Sequence, residues 1–522
     1  MRYRMLSLAL TLLATPAAFA ATDCTSLKSL KLAATTVVTA DTVPAGAMAE
    51  APAAVRAKLP AFCRVTGVIR PVPDSEIRFE VWMPQQGWND RLLNVGNGGF
   101  AGSIGYGQMM GNLQRGYATA GTDAGHQADG EDASWAYGHP EKVADFGYRA
   151  VHLMTLRSKD IVKAFYAHEQ KKAYFDACSD GGREALMEAQ RFPEDYDGIL
   201  AGAPANNWAH MLTGGVALIQ ATQKDPAAYI SALKLPAIHR ASLAACDALD
   251  GVKDGVVSDP AKCHFDPAVL QCKTGEDTLA CLTPPQVQSL RALYAGGKDA
   301  QGNTIFPGLA PGDEEPAWRD WVLGKAPGGA SGNNYGNGYF RYMVLHDPAW
   351  QALTADIGKT LQAAMERTAK DVDSTNPDLT PFVARGGKLL MYHGWNDPAI
   401  SPWNSISYYG AVQKAMGAQK TDTAVRLYMV PGMEHCAGGP GPNNFGQLSL
   451  PAADGPGSGA LDKLQMWVED GKAPGIVLAV KQSGSPEAPV RTVRPLCPYP
   501  QQAKYDGKGD PNVPGSFTCT AP

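Results

Sequence analysis

The sequence predicts an α/β fold in which a sheet-and-helix domain is interrupted by one long insertion. Short apolar segments that end in glycine-rich or polar turns indicate buried strands. These segments lie at residues 77–83, 92–95, 173–177, 199–201, 388–392 and 425–430. Apolar residues at helical spacing indicate helices at 148–166 and 183–191. Between about residues 206 and 376, glycine/asparagine runs, four cysteines and clustered aromatic residues replace the strand signals.

The elements before the insertion follow from local patterns. Apolar residues alternate with other residues over 77–83, which predicts a strand with one buried face. Residues 92–95 form an apolar strand that runs into the glycine turn Gly96–Gly99, and residues 173–177 form a strand that stops at Ser179. The next helix must end near Pro193, because proline disfavours the helical conformation in the residue before it.

Strand signals return after the insertion. Residues 388–392 form an apolar run that ends at His393, and residues 425–430 form another that ends at Pro431. We therefore predict one main domain, made of residues 21–205 and 377–522, and an inserted domain at residues 206–376. The chain is long enough for a large core and more than one compact unit.

The N-terminus has the three parts of a secretory signal peptide. Arg2 and Arg4 are basic, residues 5–14 are apolar, and Ala18–Ala20 resembles a small-x-small cleavage site. We therefore predict that residues 1–20 are a signal peptide and that the protein is exported, to a periplasm or out of the cell. A membrane anchor is the alternative, but the apolar run is far shorter than the ~20 residues of a spanning helix.

Composition excludes some classes of partner. The chain has 522 residues, ten cysteines and a net charge of −5. An even number of cysteines in an exported chain indicates disulfides, although the sequence alone does not fix their pairing. The charge gives no electrostatic basis for binding nucleic acid or an anionic membrane surface. The sequence does not distinguish a monomer from an oligomer.

The segment Cys178–Gly182 places a serine in a turn between a predicted strand and a predicted helix. This context is typical of a nucleophile elbow, in which a sharp turn lifts the serine hydroxyl off the sheet edge. Ala177 stands where the usual G-x-S-x-G motif has its first glycine, so the motif itself is not matched. An ordinary serine in a strand-to-helix turn is the alternative interpretation.

Two backbone N–H groups are candidates for an oxyanion hole. The N–H of Asp180, at the start of the predicted helix, can donate to a developing negative charge. The second donor should come from the loop after an early strand, and we favour the N–H of Gly99, because glycine lets the backbone approach a substrate oxygen closely. An ordinary glycine turn is the alternative.

Two later residues complete the order serine, aspartate, histidine that hydrolases with such an elbow use. Asp397 follows the strand predicted at 388–392, and His435 follows the strand predicted at 425–430. Both fall at the carboxyl ends of strands, where α/β sheets place their sites. His435 would take the proton from Ser179, and Asp397 would orient the imidazole.

Cysteines flank two members of this set, because Cys178 precedes Ser179 and Cys436 follows His435. If these cysteines are bonded, their Cα atoms lie about 4.4–6.8 Å apart, and their neighbours are forced into the same space. A serine nucleophile needs a base within about 2.6–3.2 Å.

Two other histidines compete for the role of base, and neither has an adjacent cysteine. His393 lies at a strand end and could line the pocket. His126 is more typical of a structural hydrogen-bonding residue.

An acidic loop at residues 246–256 is a candidate calcium site. Asp247, Asp250 and Asp254 offer hard carboxylate oxygens, and the backbone carbonyls of Val252 and Val256 could complete the coordination shell. The spacing differs from that of an EF-hand, which requires ligands at positions 1, 3 and 5 and a glutamate at position 12. A solvated acidic turn is the alternative.

These features together resemble the tannase and feruloyl esterase family. The resemblance extends from about residue 63 to residue 519. Its most specific stretches are Cys178–Glu184, Arg191–Pro193, Tyr196–Ile199, Tyr392–Gly394 and Met429–Pro440.

The resemblance implies an α/β-hydrolase fold with a large inserted lid domain. Residues 21–205 and 377–522 would form the catalytic domain, and residues 206–376 a lid that carries the calcium loop. It implies a catalytic triad of Ser179, Asp397 and His435, and an oxyanion hole from the N–H groups of Gly99 and Asp180. It also implies a Ca²⁺ ion on Asp247, Asp250, Val252, Asp254 and Val256. The disulfides that it implies are Cys178–Cys436, Cys24–Cys63, Cys246–Cys263, Cys272–Cys281 and Cys497–Cys519.

The predicted lid departs from that of the terephthalate-monoester hydrolases in the family. In those enzymes an arginine of the lid faces the free carboxylate of the substrate. The corresponding position here falls near Asn333, and Arg341 aligns differently, which argues against activity on that monoester. Five lid aromatic residues could stack on a flat acyl ring or form the lid core: Trp318, Trp321, Tyr335, Tyr339 and Phe340.

We therefore expect a secreted serine carboxylic-ester hydrolase that cleaves esters of aromatic acids, of feruloyl (hydroxycinnamoyl) or galloyl type, through an acyl-enzyme. A small aromatic ester would be its substrate, calcium would be structural, and no redox cofactor is implied. The alternatives are a hydrolase of aromatic-diacid monoesters, a serine peptidase on the same fold, and a non-enzymatic calcium-dependent binding protein.

Overall fold

The structure is a computed structural model that describes residues 22–521 apart from residues 313, 316, 451, 453, 454, 456, 486 and 487. The predicted signal peptide at residues 1–20 lies outside the described residues. In the part of the chain that the structure describes, no helix combines the length and the apolar character needed to cross a membrane.

Two sheets form the body of the protein, and two-stranded ribbons are added to them. The strands are β1 (Thr35–Val43), β2 (Phe62–Ile69), β3 (Ile77–Pro84), β4 (Arg91–Val95), β5 (Thr119–Thr122), β6 (Lys172–Cys178), β7 (Gly198–Gly202), β8 (Gly297–Lys298), β9 (Thr304–Phe306), β10 (Lys388–Gly394), β11 (Val425–Val430), β12 (Val477–Ser485), β13 (Ala488–Leu496), β14 (Gln502–Tyr505) and β15 (Phe517–Thr520). The central sheet is parallel, in the order β11-β10-β7-β6-β4, and an antiparallel sheet β1-β2-β3-β5 lies beside it.

Helices cover the central sheet and fill the insertion. They are α1 (Ala53–Arg56), α2 (Tyr106–Gln114), α3 (Pro140–Ala144), α4 (Ala150–Tyr166), α5 (Asp180–Arg191), α6 (Trp208–Gln223), α7 (Leu235–Cys246), α8 (Pro284–Ala295), α9 (Ser331–Gly338), α10 (Ile357–Arg367), α11 (Ala369–Val372), α12 (Thr380–Ala384), α13 (Pro402–Met416), α14 (Ala418–Asp422) and α15 (Ala460–Asp470).

The central strands are mostly apolar because both faces of the sheet are buried. In β10, Leu389 and Met391 join the core that contains α4 and α5, whereas Leu390 and Tyr392 join the core that contains α15. The continuous apolar runs of the sequence therefore correspond to strands in the middle of three layers.

The insertion that the sequence predicts at about residues 206–376 lies in the chain between β7 and β10. It contains α6 to α11 and the short ribbon β8–β9, and part of it has a separate core around Leu235, Leu290 and Trp318. Two π-helical turns, Arg319–Leu323 and Tyr339–Val344, interrupt its regular structure. Its boundaries as a lid domain stay a prediction.

The six predicted strands and both predicted helices are present. The second helix, α5, begins at Asp180, immediately after the serine, rather than at residue 183. Residues 77–83 form a strand of the antiparallel sheet. The C-terminal ribbons β12–β13 and β14–β15 were not predicted, because their strands carry mixed rather than periodic polarity.

Ten cysteines form five disulfide bonds, as expected of a chain that matures in an oxidising compartment. The pairs, with their Cα–Cα distances, are Cys24–Cys63 (5.6 Å), Cys178–Cys436 (6.0 Å), Cys246–Cys263 (5.3 Å), Cys272–Cys281 (4.9 Å) and Cys497–Cys519 (5.7 Å). The pairing is the one that the family resemblance implies.

Candidate active site

Ser179 lies in a strained turn between β6 and α5. Its backbone has φ 70° and ψ −124°, a conformation that a residue with a side chain adopts only when its surroundings enforce it. Gly182 is required on the far side of the turn, because a Cβ there would lie 2.2 Å from the carbonyl oxygen of Gly202. The geometry is that of a nucleophile elbow, although Ala177 replaces the usual first glycine.

Three side chains form a continuous hydrogen-bonded chain at the carboxyl ends of the strands. The Oγ of Ser179 lies 2.8 Å from Nε2 of His435, and Nδ1 of His435 lies 2.7 Å from Oδ2 of Asp397. If Nδ1 carries its proton toward Asp397, then Nε2 is free to accept the serine proton. The structure thus brings together the three residues that the sequence predicts as a triad.

The Asp397 carboxylate is buried and held in its ionised form. Burial by itself would raise its pKa, but attraction to His435 and a hydrogen bond from His393 outweigh burial and lower the pKa of Asp397 well below its usual value. Its Oδ1 also accepts the backbone N–H groups of Ala399 and Ile400, each at 2.9 Å. It is thus suited to orient His435 without taking a proton.

The bond between Cys178 and Cys436 connects the two sides of the site. The bonded residues are 258 positions apart in the chain, and each is the direct neighbour of a member of the Ser179–His435 pair. Cys436 has φ 65°, so the histidine loop is in a strained conformation next to the bond. The bond restricts how far this loop can move from the elbow.

The backbone on one side of Ser179 suits an oxyanion hole. The N–H of Asp180 belongs to the first turn of α5, where N–H groups have no intrahelical partner and the helix dipole favours negative charge. Gly99 lies on the same cavity, and it has φ 61°. A Cβ on Gly99 would lie 2.3 Å from the carbonyl oxygen of Gly130, so only glycine fits there. The donor role of both residues stays a prediction.

One buried ion pair, Asp180 with Arg183, lies beneath the oxyanion side. The Asp180 carboxylate would repel a developing oxyanion, but Nε of the fully buried Arg183 lies 2.5 Å from its Oδ1. Arg183 also donates to the carbonyls of Phe146 and Gly147. Next to this pair, the Oε2 of Glu184 accepts the N–H of Asn97 at 2.9 Å and so supports the loop before Gly99. Burial, followed by the negative charge of Asp180, raises the pKa of Glu184 to about 8.

A mostly apolar cavity opens directly onto Ser179 and His435. Its wall also includes Trp208, Met211, Leu212, Trp321, Tyr335 and Ile400. A second apolar cavity adjoins it and shares six of its residues, including Met211 and Trp321. Neither cavity is lined by a lysine or an arginine among the residues that the structure describes.

The five lid aromatic residues divide into two groups. Trp321 and Tyr335 line the cavity and stack on each other, with ring centroids 5.8 Å apart and planes 7° apart. The ring of Trp321 also lies 5.7 Å from that of His435. The other three, Trp318, Tyr339 and Phe340, are buried in core clusters.

The two polar lid residues considered for binding a substrate carboxylate, Arg341 and Asn333, donate to backbone carbonyls instead. Arg341 does not line either cavity, and its Nε donates to the carbonyl of Trp350 at 2.8 Å. Asn333 lines the second cavity, where its side-chain amide donates to the carbonyl of Gly328.

Neither competing histidine is placed to act as the base. His126 is buried, and its Nε2 lies 2.7 Å from the carbonyl oxygen of Phe100, which agrees with the structural role favoured from sequence. The sequence suggests that His393 could line the pocket, and this suggestion is wrong. The side chain is fully buried behind Asp397 and does not line the cavity.

The acidic loop after α7 has the donor chemistry for a cation. Asp250 is half-buried, and burial followed by the negative charges of Asp254 and Asp247 raises its pKa. Arg494 offsets part of this charge through a contact of 2.7 Å with Asp254. Carboxylate oxygens suit a hard divalent cation such as Ca²⁺. The ligand atoms of Asp247, Asp250 and Asp254, however, do not all lie within 4.8 Å of one another, whereas among the described residues those of His152, Glu188 and Asp195 do. Calcium binding by Asp247, Asp250 and Asp254 stays a prediction.

Several residues of the site had no signal in the sequence. The cavity walls at Trp208 and Ile400 come from segments without a motif. Glu131 accepts hydrogen bonds from Ser331 and Asn334 of α9, and so fastens this helix over the cavity. Such contacts join residues some 200 positions apart, and only the fold brings them together.

Comparison with known proteins agrees with this geometry. The family model for tannase and feruloyl esterase matches residues 63–520. An uncharacterized esterase of Xanthomonas campestris pv. campestris is 42% identical, over 97% of this chain and 92% of its own length. A protein of Aspergillus terreus named "Probable feruloyl esterase B-2" is 32% identical, over 88% of this chain and 86% of its own length.

Solved structures show the same architecture. Feruloyl esterase B from Aspergillus oryzae superposes with a TM-score of 0.86 at 31% identity, covering 95% of this chain and 99% of that one. Tannin acyl hydrolase from Aspergillus niger superposes with a TM-score of 0.76 at 23% identity, covering 98% and 97%, and shares the fold. The fold is therefore that of an α/β-hydrolase, and the chain belongs to the tannase and feruloyl esterase family of carboxylic ester hydrolases.

Proposed function

We propose that this protein is an exported serine esterase that cleaves esters of aromatic acids through an acyl-enzyme. The observation that carries the proposal is the chain Ser179–His435–Asp397, with links of 2.8 and 2.7 Å, at the floor of a cavity lined by aromatic rings. Membership of an esterase family gives no support to a non-enzymatic binding protein.

The reaction begins when His435 accepts the proton of the Ser179 hydroxyl as its oxygen attacks the ester carbonyl. The N–H groups of Gly99 and Asp180 stabilise the oxyanion of the tetrahedral intermediate. His435 returns the proton to the leaving alkoxide, and the alcohol departs. A water molecule, deprotonated by His435, then attacks the acyl-enzyme, and collapse of the second intermediate returns the proton to Ser179 and releases the acid.

The cavity supports an aromatic acyl group. A flat ring can lie against Trp321 and Tyr335, whose stacked planes offer an extended apolar surface. Feruloyl, other hydroxycinnamoyl and galloyl groups share this flat shape and carry no second carboxylate. The Aspergillus oryzae relative is named feruloyl esterase B, which points to the same class.

Monoesters of aromatic diacids fit less well. Their free carboxylate would need a cation or several donors, because burying an unpaired charge is costly. The described residues that line the two cavities include no lysine or arginine, and Arg341 is bound to the carbonyl of Trp350. We therefore expect such monoesters to be poor substrates.

The Ser179→Ala variant tests the mechanism. We expect it to fold with an unchanged melting temperature but to lose kcat by at least about 10⁴-fold, as removal of a nucleophile does. The assay uses methyl ferulate, methyl gallate, a terephthalate monoester and the amide analogue of ferulate. A fluorophosphonate probe should label the wild type at Ser179 and leave the variant unlabelled. Retained turnover in the variant would exclude the proposed nucleophile.

The same proposal includes a structural Ca²⁺ ion. The side chains of Asp247, Asp250 and Asp254 and the carbonyls of Val252 and Val256 would hold it, and the ion would offset the negative charge of the loop. Removal of calcium by a chelator should lower the melting temperature of the wild type, and Asp250→Asn should abolish this response. An identical melting temperature with and without calcium would disprove the site.

Export is proposed from the N-terminal signal pattern and is supported by the five disulfides. Expression with the native N-terminus should yield a mature protein outside the cytoplasm that begins after Ala20. A full-length cytoplasmic product with reduced cysteines would contradict export.

A further inference from the structure

We propose that His393 is a positioning residue that locks the Asp397 carboxylate for His435, so that two histidines share one carboxylate oxygen. The inference rests on the proposed triad. It assigns His393 neither the role of base nor contact with the substrate, because its side chain is fully buried and lies outside the cavity.

The hydrogen bonds of His393 indicate which ring nitrogen carries the proton. Its Nε2 lies 3.2 Å from Oδ2 of Asp397 and 3.0 Å from the carbonyl oxygen of Ile400. Both neighbours are acceptors, so Nε2 must carry a hydrogen. On the other side of the ring, Nδ1 lies 2.7 Å from Oγ of Ser405 on α13. When this hydroxyl donates to Nδ1, both nitrogens of a neutral imidazole are satisfied.

The consequence is a carboxylate with donors on all sides. Oδ2 of Asp397 faces the N–H groups of both His435 and His393, and Oδ1 faces the backbone N–H groups of Ala399 and Ile400. A carboxylate has about four lone-pair sites, so these four donors occupy its capacity and resist rotation of the group.

His393 also affects the negative charge of the Asp397 carboxylate. Among titratable groups, His435 and His393 act most strongly on Asp397. A donor from His393 disperses part of the negative charge of Asp397, so the carboxylate binds the protonated form of His435 less strongly. Since protonated His435 cannot accept the serine proton, His393 extends the activity toward lower pH.

The test replaces His393 with leucine and, separately, with glutamine. A hydrogen bond to a charged acceptor corresponds to about a 10- to 100-fold effect, so His393→Leu should lower kcat by about that factor with little change in KM. The acid limb of the kcat/KM profile should move to higher pH. His393→Gln, whose side-chain N–H can donate to the same oxygen, should recover part of kcat and part of the shift.

A matched control is His152→Leu. His152 makes a similar contact, with its Nδ1 2.6 Å from Oδ2 of Asp195, but it lies away from the triad. We expect this variant to keep the acid limb and kcat of the wild type. Ser405→Ala keeps the His393 ring and removes only the hydroxyl that bonds its Nδ1. This variant therefore tests the inference even if His393→Leu does not fold. It should lower kcat by about 2- to 10-fold, with a shift in the same direction.

The outcomes separate the inference from the proposed function. A folded His393→Leu, or Ser405→Ala, with the kcat and acid limb of the wild type would overturn the inference. So would a loss of kcat with the acid limb unmoved and no recovery in His393→Gln, because that pattern indicates packing alone. Failure of the fluorophosphonate to label wild-type Ser179 would instead refute the triad itself.

Discussion

The proposed reaction centre, made of Ser179, His435 and Asp397, and the cavity wall above it are built in different ways. The three residues of the centre lie at the ends of β6, β10 and β11, and backbone hydrogen bonds and a disulfide fix the segments that carry them. The wall contains Trp321 from a π-helical turn and Tyr335 from α9, which are held by side-chain packing and by contacts such as those of Glu131.

This difference in construction assigns the chemical step to the centre and recognition of the acyl group to the wall. The centre is constrained by the central sheet, whose strands are buried along nearly their whole length, so its geometry depends little on which substrate is present. The wall belongs to an irregular insertion whose side chains can change without disturbing the sheet. We therefore expect changes in the centre to affect all esters alike, and changes in the wall to affect esters according to their acyl group.

Among the changes that test this comparison of centre and wall, the largest effect is expected from removal of the disulfide at the centre. The double substitution Cys178→Ala with Cys436→Ala opens a loop of 258 residues. In the chain-entropy model this lowers the free energy of unfolding by about 5.5 kcal/mol. Because the histidine loop is also released, kcat should fall for every ester, by about 10- to 100-fold if the Ser179–His435 contact loosens by an ångström or less. Melting temperature and kcat on two esters are the measurements.

The matched control opens the disulfide within the insertion. Cys272→Ala with Cys281→Ala releases a loop of only 9 residues. The same model gives a smaller decrease in the free energy of unfolding, about 2.5 kcal/mol, and kcat should stay unchanged. If both double variants have equal melting temperatures and the kcat of the wild type, the bond at the centre does not position the histidine loop.

How far the sequence predicts each region follows the same division. The central strands are mostly apolar, and Ser179, Asp397 and His435 lie one, three and five residues after the ends of β6, β10 and β11. An apolar run and a position just after a strand can both be recognised in the sequence alone. The strands of the sheet and the three residues could therefore be predicted.

The wall could not be predicted in the same way. Trp318 and Trp321 are three residues apart, yet the first is buried in the core of the insertion and the second lines the cavity. Trp321 lies in the π-helical turn Arg319–Leu323, and this turn has no sequence signature. The sequence likewise suggests that His393 could line the pocket, but the side chain is buried and contacts Ser405 of α13, and only the packing of this helix on β10 reveals that contact.

A smaller effect, selective for the substrate, is expected from Trp321→Ala. It removes the face on which a flat acyl ring can lie, so kcat/KM for methyl ferulate should fall by about 5- to 30-fold, the scale of one aromatic contact and the area that it buries. An aryl acetate, whose acyl group is too small to reach the ring, should change by less than about threefold. Parallel assays of both esters give the ratio.

Trp318→Ala is the matched control for that variant. Its ring is 2% exposed and belongs to the core of the insertion, so truncation should lower the free energy of unfolding by about 3–5 kcal/mol. Its ratio of ferulate to acetate activity should stay that of the wild type. If Trp321→Ala reduces both esters equally, the ring supports the centre and does not recognise the acyl group.

The smallest effect is expected from Tyr335→Phe, which removes one hydroxyl and keeps the ring stacked on Trp321. The hydroxyl oxygen lies beside Gly99, 2.7 Å from where a Cβ of that glycine would be. A single neutral hydrogen bond corresponds to about 2- to 10-fold in kcat/KM, and we expect a loss in this range that is larger for ring-hydroxylated esters.

Tyr339→Phe is the control, because its hydroxyl bonds Thr368 in the core and its loss should affect stability only. A loss of about 100-fold or more in kcat for all esters would mean that the Tyr335 hydroxyl donates to the oxyanion. The wall would then contribute to the chemistry, and the division between the two regions would fail at this residue.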